Sequence, residues 1–474
     1  MRVIAVDQGT TGTKSFTLDD DGRFDAVASF EHKQVYPQAG WVEHDAEELL
    51  AHVTQAIEAE GAVDAIGIRQ SRRNPVVAWD AATGRPIHNA IVWQDDRTKD
   101  VTAKLKADGV EEVTLKKAGL PLDPYFSASK LRWFLDHVPD AKALLKERRL
   151  RLGTSDAFFL ARLTGQFVTD VTTASRTSLM SLDTLGWDED LCQLFGVPME
   201  CLPEIKPTAG PFGAFKSMPI TASVVDQQAA LFGHGCSKPG DAKITFGTGA
   251  FALAIAGGKR IDGSRFGILP TVAWKIGKDA QSFALDGGVY NAASAINWAR
   301  SLGLFSGYSE IAAFDADAAI LRHLAFVPAL SGLACPHWDR NAAGLWIGMG
   351  LDTTRHDMMQ ALLEGVALRA AEVMSAMAEL LPLGESISVD GGLSKNPYFL
   401  QFLANALQKT IVVPGSAELT ALGTARLAML GAGAKTLPPL PQPKQKIAPR
   451  SFDAQAARGI FSEAVSRAKN WKNV

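Results

Sequence analysis

Four short segments of the sequence place a carboxylate, or glycine with threonine, directly after an apolar run. They are Asp7-Gln8-Gly9-Thr10-Thr11-Gly12-Thr13, Asp226-Gln227-Gln228, Gly247-Thr248-Gly249 and Asp390-Gly391-Gly392. Glycine turns present backbone N–H groups that, together with threonine hydroxyls, hydrogen-bond phosphate oxygens. Carboxylates bind divalent cations or accept protons. These residue types therefore point to phosphate chemistry.

The first segment joins one carboxylate to a glycine and threonine turn. Asp7 would repel a phosphate at close range, but it can hold Mg²⁺ through water. An Asp-x-Gly-Thr motif taken alone is also compatible with an ordinary polar β-turn. The chain has no Gly-x-x-x-x-Gly-Lys-Ser/Thr motif, so this turn is not a Walker A loop.

The second and third segments each allow two interpretations. Asp226 follows the apolar run 223–225, and open α/β sheets bind ligands at the ends of such strands, so it is a candidate general base. It is equally plausible alone as the N-cap of a helix over 227–232. The run 247–252 matches the Gly-x-Gly-x-x-Ala dinucleotide spacing, but it lies between two strand-like runs. A second phosphate-binding hairpin explains it better.

Hydrophobic periodicity predicts the elements that position these segments. Predicted strands cover residues 2–6, 65–69, 76–79, 220–225, 243–246, 251–256 and 387–389. Predicted helices cover residues 46–60, 397–407 and 453–469, and the region 110–187 is predicted to be mainly helical. Strands that end in Asp or in Gly and Thr occur in both halves, which predicts two α/β domains of similar topology.

Composition excludes several classes of function. The 474 residues exceed the roughly 250–300 that one core supports, so at least two domains are expected. A net charge of -3 provides no basic surface for nucleic acid, and no apolar run approaches the ~18 residues of a membrane span. The four cysteines are scattered without a Cys-x-x-Cys pair, which favours the cytoplasm. We expect a cytoplasmic protein with no nucleic-acid partner and no membrane insertion.

The order of the four segments resembles the two-domain ATPase superfamily of actin, hexokinase and the sugar kinases. Within it, the chain resembles the FGGY carbohydrate kinases and is most similar to the glycerol kinases among them. Two long signatures of that family occur, YFSASKLRWFLDH at 125–137 and a second at 344–364. Shorter similar phrases lie at 40–45, 89–94 and 226–233. The resemblance covers nearly the whole chain.

The resemblance implies an α/β fold of two ribonuclease H-like domains, of the actin/hexokinase type, with an interdomain cleft. Residues 1–234 would form the FGGY N-terminal domain, on the substrate side, with the catalytic base and a helical insertion at about 110–190. Residues 235–474 would form the C-terminal domain on the nucleotide side. A homodimer and a homotetramer are the two assemblies expected, and the residues do not decide between them.

The resemblance also implies roles for single residues, with ATP and Mg²⁺ as cofactors and a small polyol or sugar as substrate. Asp226 would be the base that activates the substrate hydroxyl, and Asp7 would hold Mg²⁺, through water. The residues implied in nucleotide binding are Thr10, Thr11, Gly12, Lys14, Gly247, Thr248, Gly391, Gly392 and Asn396. The residues implied in acceptor binding are Arg72, Arg73, Trp93, Tyr125, Asp226, Gln227 and Phe251.

Arg73 is where the chain departs from this pattern, because glycerol kinases carry glutamate there. A carboxylate accepts hydrogen bonds from two hydroxyls, whereas a guanidinium only donates. Arg73 therefore either faces a different substrate, longer or carrying a carbonyl or acid group, or is neutralised internally. Asp95 and Asp96 are candidate partners, and we favour internal pairing because an unpaired buried charge is costly.

Three functions follow from these observations. The leading one is ATP-dependent phosphorylation of a small polyol, glycerol to glycerol 3-phosphate. The second is the same chemistry on a tetritol, a ketotetrose or a ketopentose such as xylulose. The third is a catalytically silent sensor, which the retained Asp7, Asp226 and phosphate turns disfavour.

Overall fold

The computed structural model describes residues 1–70, 75–278 and 281–473. In the first half of the chain, short apolar runs form strands and amphipathic stretches form helices. The strands are β1 (Arg2–Gln8), β2 (Gly12–Asp19), β3 (Phe24–Glu31), β4 (Glu43–His44), β5 (Ala65–Gln70), β6 (Val76–Asp80), β7 (Ala90–Ile91), β8 (Leu150–Thr154), β9 (Val168–Asp170), β10 (Glu204–Lys206), β11 (Ala214–Phe215) and β12 (Met218–Val225). The helices are α1 (Ala46–Glu58), α2 (Lys99–Ala107), α3 (Glu111–Ala118), α4 (Ser127–His137), α5 (Pro139–Lys146), α6 (Ser155–Thr164), α7 (Val171–Ala174), α8 (Glu189–Phe195) and α9 (Asp226–Gly233).

The second half alternates strands and helices in the same way. The strands are β13 (Ala242–Phe246), β14 (Ala250–Gly257), β15 (Leu269–Trp274), β16 (Ser282–Val289), β17 (Ala325–Val327), β18 (Leu345–Ile347), β19 (Ser386–Gly391), β20 (Thr410–Val413) and β21 (Gln445–Ile447). The helices are α10 (Ala293–Ser301), α11 (Arg355–Ala378), α12 (Pro397–Leu407), α13 (Leu419–Gly431) and α14 (Ala454–Ala468).

Each half builds one large sheet, and five strands follow an equivalent order in both, β3-β2-β1-β5-β12 in the first and β16-β14-β13-β19-β20 in the second. Among the described residues, the first sheet has the order β11-β12-β5-β1-β2-β3, with β1 antiparallel to β2 and parallel to β5. The second has the order β15-β16-β14-β13-β19-β20-β21, with β13 antiparallel to β14 and parallel to β19. An antiparallel hairpin followed by parallel strands thus occurs twice. The predicted two-domain α/β fold with its repeated topology is confirmed.

Helix α13 belongs to the second half of the chain but packs on the sheet of the first. It contacts β1, β5 and β12, and it crosses α9 at backbone distance. A Cβ on Gly233 would lie 2.0 Å from the Leu419 carbonyl oxygen, and one on Gly423 would lie 1.9 Å from that of Ala229. Both positions therefore require glycine. The two halves share this helix pair, and a domain boundary at residue 234 stays a prediction.

The region predicted to be mainly helical contains helices α3 to α7 but also two strands. Strand β8 pairs antiparallel with β6, and β9 pairs parallel with β10. Both strands are short, so their alternation was too brief to separate from the surrounding helical pattern. In the parts of the chain that the structure describes, none of the helices is long and apolar enough to span a lipid bilayer.

Candidate active site

Three neighbouring parallel strands bring two carboxylates to one guanidinium. Asp7 on β1 pairs in register with Arg69 on β5, and Asp226 directly follows β12. Arg69 Nη1 lies 2.6 Å from Asp7 Oδ1, and Nη2 lies 3.8 Å from Asp226 Oδ2. The three side chains are between 12% and 15% exposed. They form one charged cluster at the C-terminal edge of the first sheet, where such sheets bind ligands.

Asp226 is the first residue of α9 and does not cap it. The N-cap is Val225, and no side chain makes a capping bond there. The alternative that Asp226 is only an N-cap is therefore wrong. Its Oδ1 atom is buried and has no hydrogen-bond partner among the described residues, so an acceptor remains available for a ligand proton.

The first turn holds its shape through backbone contacts. Gly9 N–H donates to the Gly12 carbonyl oxygen at 2.8 Å, and a Cβ on Gly12 would lie 2.7 Å from the Phe30 carbonyl oxygen. The Trp93 indole donates to Thr10 Oγ1 at 3.3 Å. Its ring meets that of Tyr125 edge-on at 5.5 Å. The structure thus places Trp93 and Tyr125, which are predicted to bind the acceptor substrate, beside the predicted phosphate turn.

A pocket of about 560 Å³ opens on the other side of this turn and is lined by Asp7, Thr11, Lys14, His32 and Glu418, among others. Lys14 Nζ lies 3.1 Å from the Oε1 atom of Glu418, and Glu418 is the residue directly before α13. This cation is half-exposed, and its partner comes from the second half of the chain. Lys14 therefore spans the two halves at the edge of the predicted phosphate site.

His32 supports the same hairpin and makes its stability depend on pH. Its Nε2 lies 2.9 Å from Thr13 Oγ1, and its Nδ1 lies 2.9 Å from His52 Nδ1. Burial, aided by His52 and His44, lowers the pKa of His32 from 6.5 to about 4.

We expect the protein to lose about 2 kcal/mol of stability through His32 between pH 7 and pH 5. In this range the unfolded chain binds a proton at this histidine and the folded chain does not. The free energy of unfolding therefore decreases as the pH falls. Melting temperatures of wild type and His32→Gln at both pH values test this. The variant should show a smaller pH-dependent drop, and an equal drop in both proteins would contradict the assignment.

The second sheet presents its glycine turn in the equivalent place. Gly247 and Thr248 are exposed between β13 and β14, and the Thr248 carbonyl oxygen accepts from Ala292 N–H at 2.9 Å. On the adjacent parallel strand, Gly391 has a φ of 92°. A Cβ there would lie 2.2 Å from the Phe246 carbonyl oxygen. The two glycine segments therefore meet at one edge of the sheet.

Lys243 connects the second sheet to helix α9 inside the molecule. It is fully buried on β13 and donates to Gln227 Oε1 and, at 2.9 Å, to Thr245 Oγ1. Because lysine has no acceptor, it fixes the orientation of the Gln227 amide. The NH₂ group of Gln227 is then the donor left for a ligand. Burial raises the pKa of the nearby Asp390 carboxyl. His234 and Lys243 outweigh this effect, so the pKa of Asp390 lies below its ordinary value.

Asn396 has a structural role in addition to the predicted one. Its amide oxygen accepts from Phe399 N–H at 2.9 Å as the N-cap of α12, and its amide nitrogen donates to the Ile311 carbonyl oxygen at 2.8 Å. Phe251 lies on β14 beside Gly288, half-buried. Gly392 has nothing within 4 Å of a Cβ position and is open. The ligand contacts of these residues stay predictions.

Arg72 and Arg73 lie outside the described residues. Of the two candidate partners of Arg73, Asp95 is already engaged. Its carboxylate is buried and accepts from the Arg97 guanidinium at 2.7 and 2.8 Å and from Val42 N–H at 2.7 Å. Asp96 is half-exposed and lies 3.6 Å from Lys99. Asp95 therefore has little capacity left for a further arginine.

The donor set suits Mg²⁺ that arrives with phosphate and does not suit a protein-enclosed metal. The described ranges contain no group of three or more His, Cys, Asp or Glu that could hold a metal ion. Magnesium usually needs only one or two carboxylates, with waters and phosphate oxygens completing its shell. Asp7, near the end of β1 beside the first glycine turn, meets that requirement. Burial raises the pKa of Asp7, and Arg69 opposes that effect.

Three charged residues of this region were not among the predicted site residues: Arg69, Lys243 and Glu418. Arg69 and Lys243 stand inside otherwise apolar strands. A charge in such a strand needs a partner, because an isolated buried ion is strongly unfavourable. That signal was present in the sequence and could have identified both residues.

Known families and proteins match the chain over almost its full length. The profile of the FGGY family of carbohydrate kinases, N-terminal domain, matches residues 2–233, and that of the C-terminal domain matches residues 242–432. A glycerol kinase of Koribacter versatilis is 39% identical over 99% of this chain and 99% of its own. A glycerol kinase of Haloferax volcanii is 38% identical over 98% of each chain.

Solved structures agree with these matches. The crystal structure of Plasmodium falciparum glycerol kinase with ADP superimposes with a TM-score of 0.91 at 30% identity, covering 98% of both chains. A gluconate kinase from Lactobacillus acidophilus superimposes with a TM-score of 0.88 at 23% identity, over 98% of this chain and 97% of its own. The second comparison supports the fold alone.

Proposed function

The chain belongs to the FGGY family of carbohydrate kinases, and on that premise we propose that it transfers the γ-phosphoryl group of ATP to glycerol, forming glycerol 3-phosphate. The observation that carries the proposal is the position of Asp226. It stands at the C-terminal edge of the first sheet with a buried, unpartnered oxygen, in one charged cluster with Asp7. Full-length relatives that are named glycerol kinase support the choice of acceptor.

The transfer step needs a base and a stabilised phosphoryl group. Asp226 accepts the proton of the acceptor hydroxyl while the new P–O bond forms and the bond to the departing ADP oxygen breaks. Asp7 would hold Mg²⁺ through water, and when bound this ion supplies positive charge to the phosphate oxygens. Little covalent chemistry is required of the protein, so positioning dominates catalysis.

The nucleotide is proposed to lie between the two glycine turns. Backbone N–H groups of the first turn and of Gly247 and Thr248 would bind phosphate oxygens, and Lys14 would add a cation after leaving Glu418. The remaining residues proposed for the nucleotide are Thr10, Thr11, Gly12, Gly391, Gly392 and Asn396. Gly391 suits this role because its φ of 92° is a conformation that glycine adopts readily, which lets its backbone form part of the turn close to Phe246.

The acceptor is proposed to lie between Trp93, Tyr125 and Phe251, with Gln227 as a hydrogen-bond donor. Apolar walls with few polar groups are typical of small-ligand sites. Arg72 and Arg73 would complete the pocket. The four cysteines are all free and buried, and ATP is a cytoplasmic substrate, so the proposed compartment is the cytoplasm. A homodimer or a homotetramer stays a prediction.

A panel of acceptors tests this proposal. We expect coupled measurement of ADP release to give the highest kcat/KM with glycerol, followed by erythritol, with erythrulose and xylulose far behind. Arg73 in place of the family glutamate favours the second candidate, a kinase of a longer polyol or a ketose. If this second candidate is correct, the matched variant Arg73→Glu should gain activity on glycerol. Dominant wild-type activity on xylulose or erythrulose would overturn the glycerol assignment.

A further inference from the structure

Arg69 lies at the point where the proposed phosphate turn, metal carboxylate and base converge. Its Nη1 donates to the Gln8 carbonyl oxygen at 2.8 Å and lies 2.6 Å from Asp7 Oδ1. The Cβ position of Gly9, in the first turn, is only 3.9 Å from the same nitrogen. On its other side, Nη2 reaches to 3.8 Å from Asp226 Oδ2.

The guanidinium is not saturated by these contacts. Its Nε is buried and has no hydrogen-bond partner in the described part of the chain. The Nη2 distance to Asp226 is longer than a hydrogen bond. Arginine carries five N–H donors in a planar fork that matches phosphate oxygens. Arg69 therefore has N–H donors beside the turn that these contacts do not use.

Charge explains why a cation belongs at this place. Asp7 and Asp226 alone would oppose a phosphoryl group by like-charge repulsion in a site shielded from solvent. Arg69 halves the negative charge of the pair. It also provides a fixed positive group on the path from the phosphate turn to the hydroxyl that Asp226 would activate.

We propose that Arg69 is a catalytic residue of the transfer reaction, a guanidinium that binds the equatorial oxygens of the phosphoryl group as it passes to the acceptor. This inference rests on the proposed function. The acceptor oxygen forms its bond to phosphorus, the bond to the ADP oxygen breaks, and the hydroxyl proton goes to Asp226. Arg69 gives up no proton and acts through hydrogen bonds and charge. Fixed donors of this kind contribute most when charge spreads over the transferring group.

The test compares wild type with Arg69→Met, which keeps the aliphatic stem, and with Arg69→Lys. We expect Arg69→Met to lower kcat by about 10³-fold while KM for ATP and for glycerol changes by less than about threefold. Arg69→Lys should lose less, because it restores the charge but not the fork. Arg23→Met is the matched control, since Arg23 is exposed and forms its salt bridge with Asp25. It should leave kcat unchanged.

A binding measurement separates catalysis from folding. Calorimetry with ADP, Mg²⁺ and glycerol, with and without aluminium fluoride as a mimic of the transferring group, measures the gain in ADP affinity. We expect that gain in wild type and its loss in Arg69→Met, with ADP affinity retained. If Arg69→Met does not fold, Arg69→Lys should show a reduced gain. A gain that is unchanged in both variants, or absent in wild type, would overturn the role of Arg69. If the wild-type protein shows the gain in ADP affinity but phosphorylates no acceptor, only the proposed function is overturned.

Discussion

Replacing Asp226 with asparagine is expected to lower kcat by about 10²- to 10⁴-fold, the range of a lost general base. The asparagine keeps the shape of the side chain at the start of α9 but cannot accept the hydroxyl proton. Binding of ADP should persist, because the glycine turns proposed for its phosphates belong to other segments. Steady-state turnover and calorimetry of ADP binding measure the two effects separately.

A matched control for this variant is Asp25→Asn. Asp25 lies on β3 of the same sheet, is partly exposed, and pairs with Arg23 far from the cluster. Its replacement removes the same charge and should change kcat by less than about twofold. Turnover that survives in Asp226→Asn at a level near that of Asp25→Asn would contradict the assignment of the base.

Replacing Gly391 with alanine is expected to cost more than about 4 kcal/mol of stability, a loss seen only for severe backbone conflicts. Its φ of 92° and ψ of -174° belong to a region that essentially only glycine occupies. The added Cβ would also meet the Phe246 carbonyl oxygen at 2.2 Å. Relief requires separating β13 from β19 at the proposed nucleotide edge. Thermal melting should show a large drop, and ADP binding should fall with it.

Variants of two other glycines separate the cost of the backbone conformation from the cost of the steric conflict. Gly392→Ala adds a Cβ with nothing within 4 Å, so its melting temperature should stay close to that of wild type. Gly61 already has a positive φ of 84°, so Gly61→Ala places a Cβ at that conformation without any clash and should cost about 1 kcal/mol. If Gly391→Ala melts no lower than Gly61→Ala, the close contact with Phe246 is not a constraint in solution.

Local patterns were enough to predict the elements that carry the site. The predicted helix 397–407 is α12 as observed, because Asn396 caps it and proline occupies its first position. The predicted strand 2–6 lies within β1, because an apolar run there ends before a glycine turn. Asp226 was identified because it follows an apolar run and because the order of the four segments resembles that of the sugar kinases.

Long-range contacts could not be predicted in the same way. Asp7, Arg69 and Asp226 are far apart in sequence and meet only because β1, β5 and β12 pair in a particular order. The position of α13 on the first sheet depends on glycines at the α9 crossing. No periodicity within a single segment records either arrangement. The sequence marks Arg69 as a charge in an apolar strand, but its position between Asp7 and Asp226 depends on this pairing order.

The proposed reaction moves the γ-phosphoryl group of ATP to a glycerol hydroxyl. Phosphorus NMR of the wild-type protein with ATP, Mg²⁺ and glycerol follows that group directly. We predict that the γ-phosphate signal declines while a phosphomonoester of glycerol and ADP appear in equal amounts. Loss of ATP to inorganic phosphate alone, or no loss of ATP with any polyol present, would contradict it.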